Sequence, residues 1–234
     1  MPDPNYMQNV QRDVNQSMRA ILIDWLVDVH LKFQLVPDTL FMTVNLIDRF
    51  LGKMVISRKI LQLIGVTALL IASKYEEVYL PEVEEFSKIT EKAYSIKEIL
   101  HMEGLILSAL DFDLTFTSAY RFLERYAYLC NFDTKSFNLA KYLLELAFIE
   151  YKMIKYPPSL LACCALYLTM KINKLYDEWP EVMVTNSCYL QMDLIICSTD
   201  LLEIWRKADK MNLSAIRRKY ASSKYNEVSK LILQ

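Results

Sequence analysis

The chain has 234 residues, of which 53% are hydrophobic, so it can bury the core of one large domain or two small ones. Only 3 residues are glycine and 7 are proline, and this scarcity of turn formers disfavours a fold of many short strands. The charges nearly balance, with 27 Lys and Arg against 28 Asp and Glu, whereas a protein that binds nucleic acid usually carries a basic excess.

Hydrophobic spacing and capping residues predict five helices in the first half of the chain, followed by a linker. The first helix is predicted to begin with Ser17 as its N-cap and to end near Leu35, before Pro37. The next four helices are predicted at 37–51, 57–77, 81–89 and 95–110, and the linker at 111–117.

The second half repeats this order, with helices predicted at 118–131, 134–154, 158–175, 180–187 and 190–210. In each half the third helix is rich in small apolar residues and is followed by the tripeptide Pro-Glu-Val, at 81–83 and at 180–182. A helix that is apolar nearly all round is contacted on every side. The pattern predicts two bundles of five helices, each built around its third helix, with chance similarity between two helices as the alternative.

The first predicted helix has two apolar faces and only a narrow polar strip. One face carries Met18, Ile21, Leu22, Trp25 and Val29, which recur at the i, i+3, i+4, i+7 spacing of an amphipathic helix. The other face packs on the core. From periodicity alone the first face is either a second core contact, which is the default interpretation, or an exposed groove that binds a partner.

Arg19 lies on the apolar face assigned to the core, where an unpaired guanidinium would be very costly. Asp48, among apolar residues of the second helix, is an acid that also needs a partner. We therefore expect Arg19 and Asp48 to form a structural ion pair rather than an acid–base dyad.

Residues that could carry catalysis are sparse. The two histidines, His30 and His101, belong to separate predicted helices without metal-ligand spacing, and no glycine-rich phosphate loop is present. The five cysteines form no C-x-x-C pair, which indicates buried free thiols in a reducing compartment. The sequence contains no run of 18 uncharged apolar residues, so no transmembrane helix is predicted. The N-terminus does not resemble a secretory signal. We expect no catalytic site, no metal and no cofactor.

Long motifs in a fixed order match those of a known protein family over almost the whole chain. The two best first-half matches are Met18-Arg-Ala-Ile-Leu-Ile-Asp-Trp-Leu-Val and Val44-Asn-Leu-Ile-Asp-Arg-Phe-Leu. Further matches are Leu61-Gln-Leu-Ile-Gly, Ala72-Ser-Lys-Tyr-Glu-Glu, His101-Met-Glu, Lys141-Tyr-Leu-Leu-Glu, Tyr156-Pro-Pro-Ser and Tyr220-Ala-Ser-Ser-Lys-Tyr. Together these motifs resemble the cyclin family. Within it, Ser-Lys-Tyr-Glu-Glu and Lys-Tyr-Pro-Pro-Ser are most similar to the mitotic B-type cyclins, with the A-type close behind.

The resemblance implies an all-α fold of two tandem five-helix cyclin boxes. The first would span 1–115, with part of an N-terminal extension, and the second 116–234 with the tail. It also implies a non-catalytic subunit that binds and activates a cyclin-dependent serine/threonine kinase in mitosis, and a location in the nucleus and cytoplasm. The residues that match the family's kinase-binding positions are Lys74, Tyr75, Glu77, Val78, Tyr79, Glu103, Phe112 and Leu114.

The resemblance also changes the interpretation of the first helix. In cyclins this face forms a groove for the Arg-x-Leu motifs of substrates and inhibitors, with an acid that meets the motif's cation. The matching residues are Met18, Ile21, Leu22, Trp25, Asp28, Arg58, Leu61 and Gln62. Asp28 is a shorter acid than the Glu of many A-type cyclins, and Leu80 departs from the usual Pro-Pro pair. No membrane or nucleic acid is an expected partner; a DNA-binding factor with cyclin-like repeats is the alternative, which the balanced charge disfavours.

Overall fold

The computed structural model describes residues 1–176 and 178–231, and within these ranges it contains helices and connecting segments but no strand. The chain divides into two compact units, Met1–Phe116 and Thr117–Gln234. The predicted all-α class is confirmed for the described residues.

The first unit consists of a short N-terminal helix and five longer ones. These are α1 (Tyr6–Asn9), α2 (Gln16–Lys32), α3 (Pro37–Lys53), α4 (Leu61–Glu76), α5 (Val83–Ile89) and α6 (Ile96–Ala109). Helix α4 packs against α2, α3, α5 and α6 and is buried from Leu63 to Ser73. The third predicted helix is therefore the central one, as its small apolar residues indicate.

Gly65 shows why the central helix carries small residues. A Cβ atom at this position would lie 2.6 Å from Leu22 Cδ1, closer than any real van der Waals contact. The missing side chain lets α2 approach α4 closely, so Leu22 is buried against the core helix. This close approach fixes the position of α2 and of the side chains on its outer face.

The second unit has the same order of elements followed by a C-terminal segment. Its helices are α7 (Ala119–Leu129), α8 (Thr134–Leu146), α9 (Pro158–Asn173), α10 (Glu181–Ser187), α11 (Gln191–Ala208) and α12 (Ala215–Tyr220). Helix α9 packs against α7, α8 and α11, and it is buried along most of its length. Within α9 the adjacent thiols of Cys163 and Cys164 are buried and free, whereas Cys188 is exposed.

A buried ion pair attaches the C-terminal segment to α8. Lys219 Nζ lies 2.8 Å and 2.7 Å from the two carboxylate oxygens of Glu145, and the Tyr220 hydroxyl donates to Glu145 Oε1 at 2.7 Å. The side chains of Lys219 and Glu145 are 1% and 0% exposed. Burial raises the pKa of Glu145, but Lys219 outweighs it and the pKa lies below its usual value.

A second acid, Asp200 on α11, is half-buried and organises a smaller cluster. The Tyr156 hydroxyl donates to it at 2.6 Å, and Lys152 and Lys155 approach it at 3.0 Å and 3.2 Å. Burial raises the pKa of Asp200, but the hydrogen bonds from Tyr156 and the two lysines lower it to about 2. The cluster joins the segment before α9 to α11.

Several predicted helix boundaries differ from the structure, and two of the differences have a clear physical reason. Helix α2 begins at Gln16 with Asn15, not Ser17, as its N-cap, because the Asn15 side chain accepts a hydrogen bond from Met18 N at 2.9 Å. The helix predicted at 134–154 ends at Leu146 and is followed by a 3₁₀ helix, Tyr151–Lys155.

The burial pattern of residues 149–153 explains why the helix predicted at 134–154 ends early. Ile149, Tyr151 and Met153 are buried, and the residues between them are half-buried. Such an alternation cannot be met by one face of an α-helix. Two prolines then follow Tyr156, and the residue before a proline is confined to extended conformations.

Candidate protein-binding surfaces

Lys74 and Glu103 meet on the surface of the first unit. Lys74 lies in the last turn of α4 and Glu103 in the middle of α6, and packing of these helices brings the two together. Lys74 Nζ lies 2.7 Å and 2.8 Å from the two Glu103 carboxylate oxygens. The side chains are 39% and 15% exposed, so both charges remain accessible at the edge of the bundle.

Large apolar side chains are exposed in the last turn of α4 and on the segments that follow α4 and α6. Tyr75, Val78 and Tyr79 follow Lys74 and are 57%, 88% and 91% exposed. Phe112, after α6, is 69% exposed, and Leu114 is half-buried. Exposed large apolar groups of this kind are typical of a protein-binding surface.

Glu77 differs from the other predicted kinase-binding residues because its carboxylate has internal partners. Its Oε1 atom accepts a hydrogen bond from Val36 N at 2.8 Å and another from Thr39 Oγ1 at 2.5 Å. Both donors lie at the start of α3, where backbone N–H groups lack helical partners and the helix dipole favours an anion. The structure thus gives Glu77 the role of a helix cap.

A groove of about 390 Å³ lies on the outer face of α2. Leu22 and Leu61 are buried and form its floor, while Met18 and Trp25 are half-buried and Ile21 is 59% exposed. The residues that line it are Met18, Ile21, Leu22, Trp25, Arg58, Leu61 and Gln62. The default expectation, that this face of α2 packs on the core, is wrong because its residues line an open groove.

Charged residues lie at and near the groove. Arg58 Nε is 2.6 Å from Asp13 Oδ1, and Asp13 Oδ2 accepts from Arg58 N at 2.9 Å. The hydrogen bond from Arg58 lowers the pKa of Asp13, and Asp13 raises the pKa of Arg58. Asp28 is exposed on α2, one turn beyond Trp25, and is not among the lining residues.

Arg19 and Asp48 form a buried ion pair beneath this surface. Arg19 Nε lies 2.6 Å from Asp48 Oδ1, and Arg19 Nη2 lies 2.7 Å from Oδ2, so the contact is bidentate. The Tyr6 hydroxyl donates a third hydrogen bond to Oδ1 at 2.8 Å. Burial lowers the pKa of Arg19, but the attraction of Asp48 outweighs it and raises the pKa above its usual value.

Within residues 1–176 and 178–231, no group of three or more His, Cys, Asp or Glu side chains could hold a metal ion. In the same part of the chain no helix is long and apolar enough to cross a membrane. His30 is buried, with Nε2 2.9 Å from the Val36 carbonyl oxygen, and His101 is exposed on α6.

Comparison with known protein families identifies both units. Residues 1–115 match the cyclin N-terminal domain, and residues 117–233 match the cyclin C-terminal domain. The chain belongs to the cyclin family. The predicted pair of tandem cyclin folds is confirmed.

Relatives of this cyclin are B-type cyclins, as the motifs indicate. Cyclin-B2-2 of Arabidopsis thaliana is 43% identical over 94% of this chain and 51% of its own length. Cyclin-B2-1 of Oryza sativa subsp. japonica is 43% identical over 97% and 54%. The G2/mitotic-specific cyclin-B of Dictyostelium discoideum is 38% identical over 97% and 52%. The chain spans about half the length of these relatives.

Solved structures share the fold of this cyclin. A viral cyclin from herpesvirus saimiri superposes with a TM-score of 0.74 at 22% identity, covering 84% of this chain and 89% of the viral protein. A chain of the yeast RNA polymerase II CTD kinase complex CTDK-1 gives a TM-score of 0.67 at 11% identity, covering 94% and 80%. At these identities the likeness concerns the fold.

Sequence analysis missed three residues that this cyclin uses around its candidate surfaces. Tyr6 completes the Arg19–Asp48 network, and Asp13 pairs with Arg58 at the groove. Gln11 donates to the carbonyl oxygens of Leu51 and Met54 at 2.5 Å and 2.7 Å. All three precede α2 and bond to positions about forty residues later, so no local spacing could indicate their partners.

Proposed function

We propose that this cyclin is a non-catalytic regulatory subunit that binds and activates a cyclin-dependent serine/threonine kinase in mitosis. The observation that carries the proposal is the Lys74–Glu103 pair, partly exposed and within the same unit as exposed Tyr75, Val78 and Phe112. Family membership and the B-type relatives support it. The activity follows from what a kinase needs from its activator.

A protein kinase is active when a conserved Lys–Glu ion pair inside it is formed, which depends on the position of its C-helix. An activator that binds the inward position of this helix more tightly than the outward one shifts the population toward the active state. Exposed aromatic and aliphatic groups supply such binding, since burying each large side chain contributes about 1.5–3 kcal/mol before ordering costs.

Lys74 and Glu103 would add direction to this apolar contact. Because they bond to each other in the free protein, each charge is already oriented and partly desolvated. On binding, the exposed part of Lys74 donates to a carbonyl oxygen of the kinase, and Glu103 accepts from a backbone N–H. These hydrogen bonds to the kinase, formed in place of part of the Lys74–Glu103 pairing, favour one orientation of the kinase helix over others.

The test is a pull-down and a kinase assay with a panel of recombinant cyclin-dependent kinases. The variant Lys74→Ala with Glu103→Ala is expected to lose binding and activation. A matched control removes the exposed ion pair of Lys88 and Glu85, which lie 2.6 Å apart on α5 of the same unit. Equal activation by wild type and the Lys74/Glu103 variant would overturn the site. A wild-type chain that activates no kinase in the panel would overturn the function.

We further propose that the groove on α2 binds Arg-x-Leu motifs of substrates and inhibitors. The leucine and neighbouring apolar groups would enter between Met18 and Trp25 above the buried Leu22, while Asp28 would attract the cation from outside the groove. Gln62 would bind the peptide backbone. The open apolar floor and the adjacent acid support this assignment.

The peptide proposal is tested by fluorescence polarisation with a labelled Arg-x-Leu peptide. Trp25→Ala is expected to weaken the peptide and to spare kinase binding, and Asp28→Asn to weaken it less and only at low salt. Tyr128→Ala removes an exposed aromatic side chain from the second unit, away from the groove, and serves as the control. An unchanged peptide affinity in Trp25→Ala would show that the motif does not bind in the groove.

We place the protein in the nucleus and cytoplasm, where a mitotic kinase subunit must act. Imaging of the fluorescently tagged full-length protein tests this location. Confinement to any other compartment contradicts it.

A further inference from the structure

The turn that follows α6 has an unfavourable backbone conformation. Asp111 and Phe112 have φ angles of 56° and 54°, so two successive non-glycine residues adopt the left-handed conformation. This conformation is uncommon for Asp and unfavourable for a bulky residue such as Phe. Hydrogen bonds from Phe112 N to Leu107 O at 2.8 Å and from Asp113 N to Leu110 O at 3.0 Å close the turn.

Packing of Phe112 does not compensate for this conformation, because 69% of its surface remains exposed. An unfavourable backbone persists only where surrounding contacts enforce it, and such positions are often functional. In this turn the contacts come from charged side chains rather than from a core.

The basic end of α3 supplies these contacts. Lys53 Nζ lies 2.8 Å from Asp111 Oδ2. Arg49 Nη2 donates to the Asp113 carbonyl oxygen at 2.8 Å and approaches Asp113 Oδ2 at 3.1 Å. The Arg49 side chain is only 16% exposed and is therefore restrained. The hydrogen bond from Lys53 also lowers the pKa of Asp111.

We infer that Arg49 and Lys53 are positioning residues: they brace the turn Asp111–Asp113 so that Phe112 stands exposed, in place to enter an apolar pocket of the kinase. The inference rests on the proposed function and adds residues that do not themselves touch the kinase. A side chain fixed before binding loses less conformational freedom on association, so the brace raises affinity without adding a contact.

Two other accounts of the same geometry make different predictions. If Lys53 or Asp111 contacted the kinase directly, each charge would matter by its own sign. If the ion pairs only stabilised the free protein, their loss would lower its melting temperature and leave kinase affinity unchanged. A brace requires only that the two charges attract each other, whichever residue carries which sign.

A charge swap separates these accounts. Affinity of the full chain for one recombinant kinase that it activates is measured by surface plasmon resonance for Lys53→Glu, for Asp111→Lys and for the double variant. Each single change is expected to weaken binding about two- to fivefold, as for the loss of one exposed ion pair. The double variant is expected to bind as the wild type does. Lys88→Glu on α5, with an equally exposed ion pair, should leave the affinity unchanged.

Arg49→Met extends the test, because it removes the less exposed brace and its bond to the backbone carbonyl. It is expected to weaken binding more than Lys53→Glu. Thermal unfolding of every free variant accompanies the affinities, and a loss of affinity must occur in variants that melt within a few degrees of the wild type.

Several outcomes would overturn the brace. A double variant that stays weak shows direct charge contacts, and single variants with wild-type affinity show that the ion pairs do not matter. If Phe112→Ala binds normally while the Lys74/Glu103 variant does not, the proposed function stands and the brace is wrong. A wild-type chain that binds no kinase removes both.

Discussion

The buried network of Tyr6, Arg19 and Asp48 gives a graded prediction for the stability of the first unit. Arg19→Met keeps most of the side-chain volume but leaves the Asp48 carboxylate buried with the Tyr6 hydroxyl and no cation. Tyr6→Phe keeps the ring and removes the hydroxyl that donates to the carboxylate. The two variants thus separate the loss of a charge from the loss of a single donor.

The structure sets the size of each effect. The Arg19 and Asp48 side chains are 1% and 4% exposed, and breaking such a buried pair costs about 3–5 kcal/mol. A hydrogen bond to a charged acceptor contributes about 1.5–3 kcal/mol, which is the expected loss in Tyr6→Phe. With a urea m-value of about 2 kcal/mol/M, Arg19→Met would lower the midpoint by about 1.5–2.5 M. The free energy lost in Arg19→Met is a large part of the stability of a typical domain.

Urea denaturation combined with hydrogen-exchange mass spectrometry measures these losses unit by unit, because two units need not unfold together. Peptides from α2 to α4 should lose protection in both variants, and peptides from α8 and α9 should not. Lys88→Met, which removes an exposed ion pair, should leave stability nearly unchanged. The reasoning would be refuted if Arg19→Met lost no more free energy of unfolding than this control, or less than Tyr6→Phe.

Three further predictions concern packing, the C-terminal segment and pH. Gly65→Ala should lower the free energy of unfolding by about 1–3 kcal/mol, because the new Cβ meets a leucine of α2. Gly104→Ala, whose Cβ would have no neighbouring atom within 4 Å, should raise the free energy of unfolding by about 1 kcal/mol. Urea denaturation of the two variants measures both changes. Lys219→Met should destabilise the second unit by about 3–5 kcal/mol, since it leaves a fully buried carboxylate on α8 without its cation. Hydrogen exchange should then quicken in 215–230 and α8 but not in α2–α4, and an even change across the chain would contradict this. The pKa of Asp200 is about 2 when folded, below its usual 3.8, so its contribution to stability is present above about pH 4 and is lost as the pH falls toward 2. Asp200→Asn should therefore be less stable than the wild type at neutral pH and nearly equal to it at pH 2, as melting temperatures across this range would show; a constant difference would refute the assignment.

Much of the fold could be predicted from the sequence because its main determinant is local. The small apolar residues from Gly65 to Ser73 and from Ala162 to Thr169 predict two central helices, and both helices are central. Helix ends were less predictable. Asn15 rather than Ser17 caps α2, and both residues have the chemistry of a cap, so only the backbone path decides between them.

The candidate surfaces were predictable to different degrees. The groove residues lie on one face of α2 or at the start of α4, and helical periodicity with family resemblance places them together. Periodicity alone favoured core, because an apolar face looks the same whether a neighbouring helix covers it or not. The family resemblance assigns Glu77 to the kinase surface, and in the structure its carboxylate also accepts hydrogen bonds from Val36 and Thr39 at the start of another helix. A contact of this kind becomes visible only once the helices are packed.

The buried acids Asp48 and Glu145 show how the two units solve one problem with different residues. Each lies on the helix before the central one, at the same separation from the start of that central helix, and each accepts a tyrosine hydroxyl and a cation. In the first unit the cation is Arg19 from the preceding helix, whereas in the second it is Lys219 from a segment beyond the repeat. Because a buried carboxylate must be paired wherever it lies, the repeat preserves the need for a cation but not its source. The sequence predicts the Arg19–Asp48 pair of the first unit, whereas only the fold shows that Lys219 of the C-terminal segment neutralises Glu145 in the second.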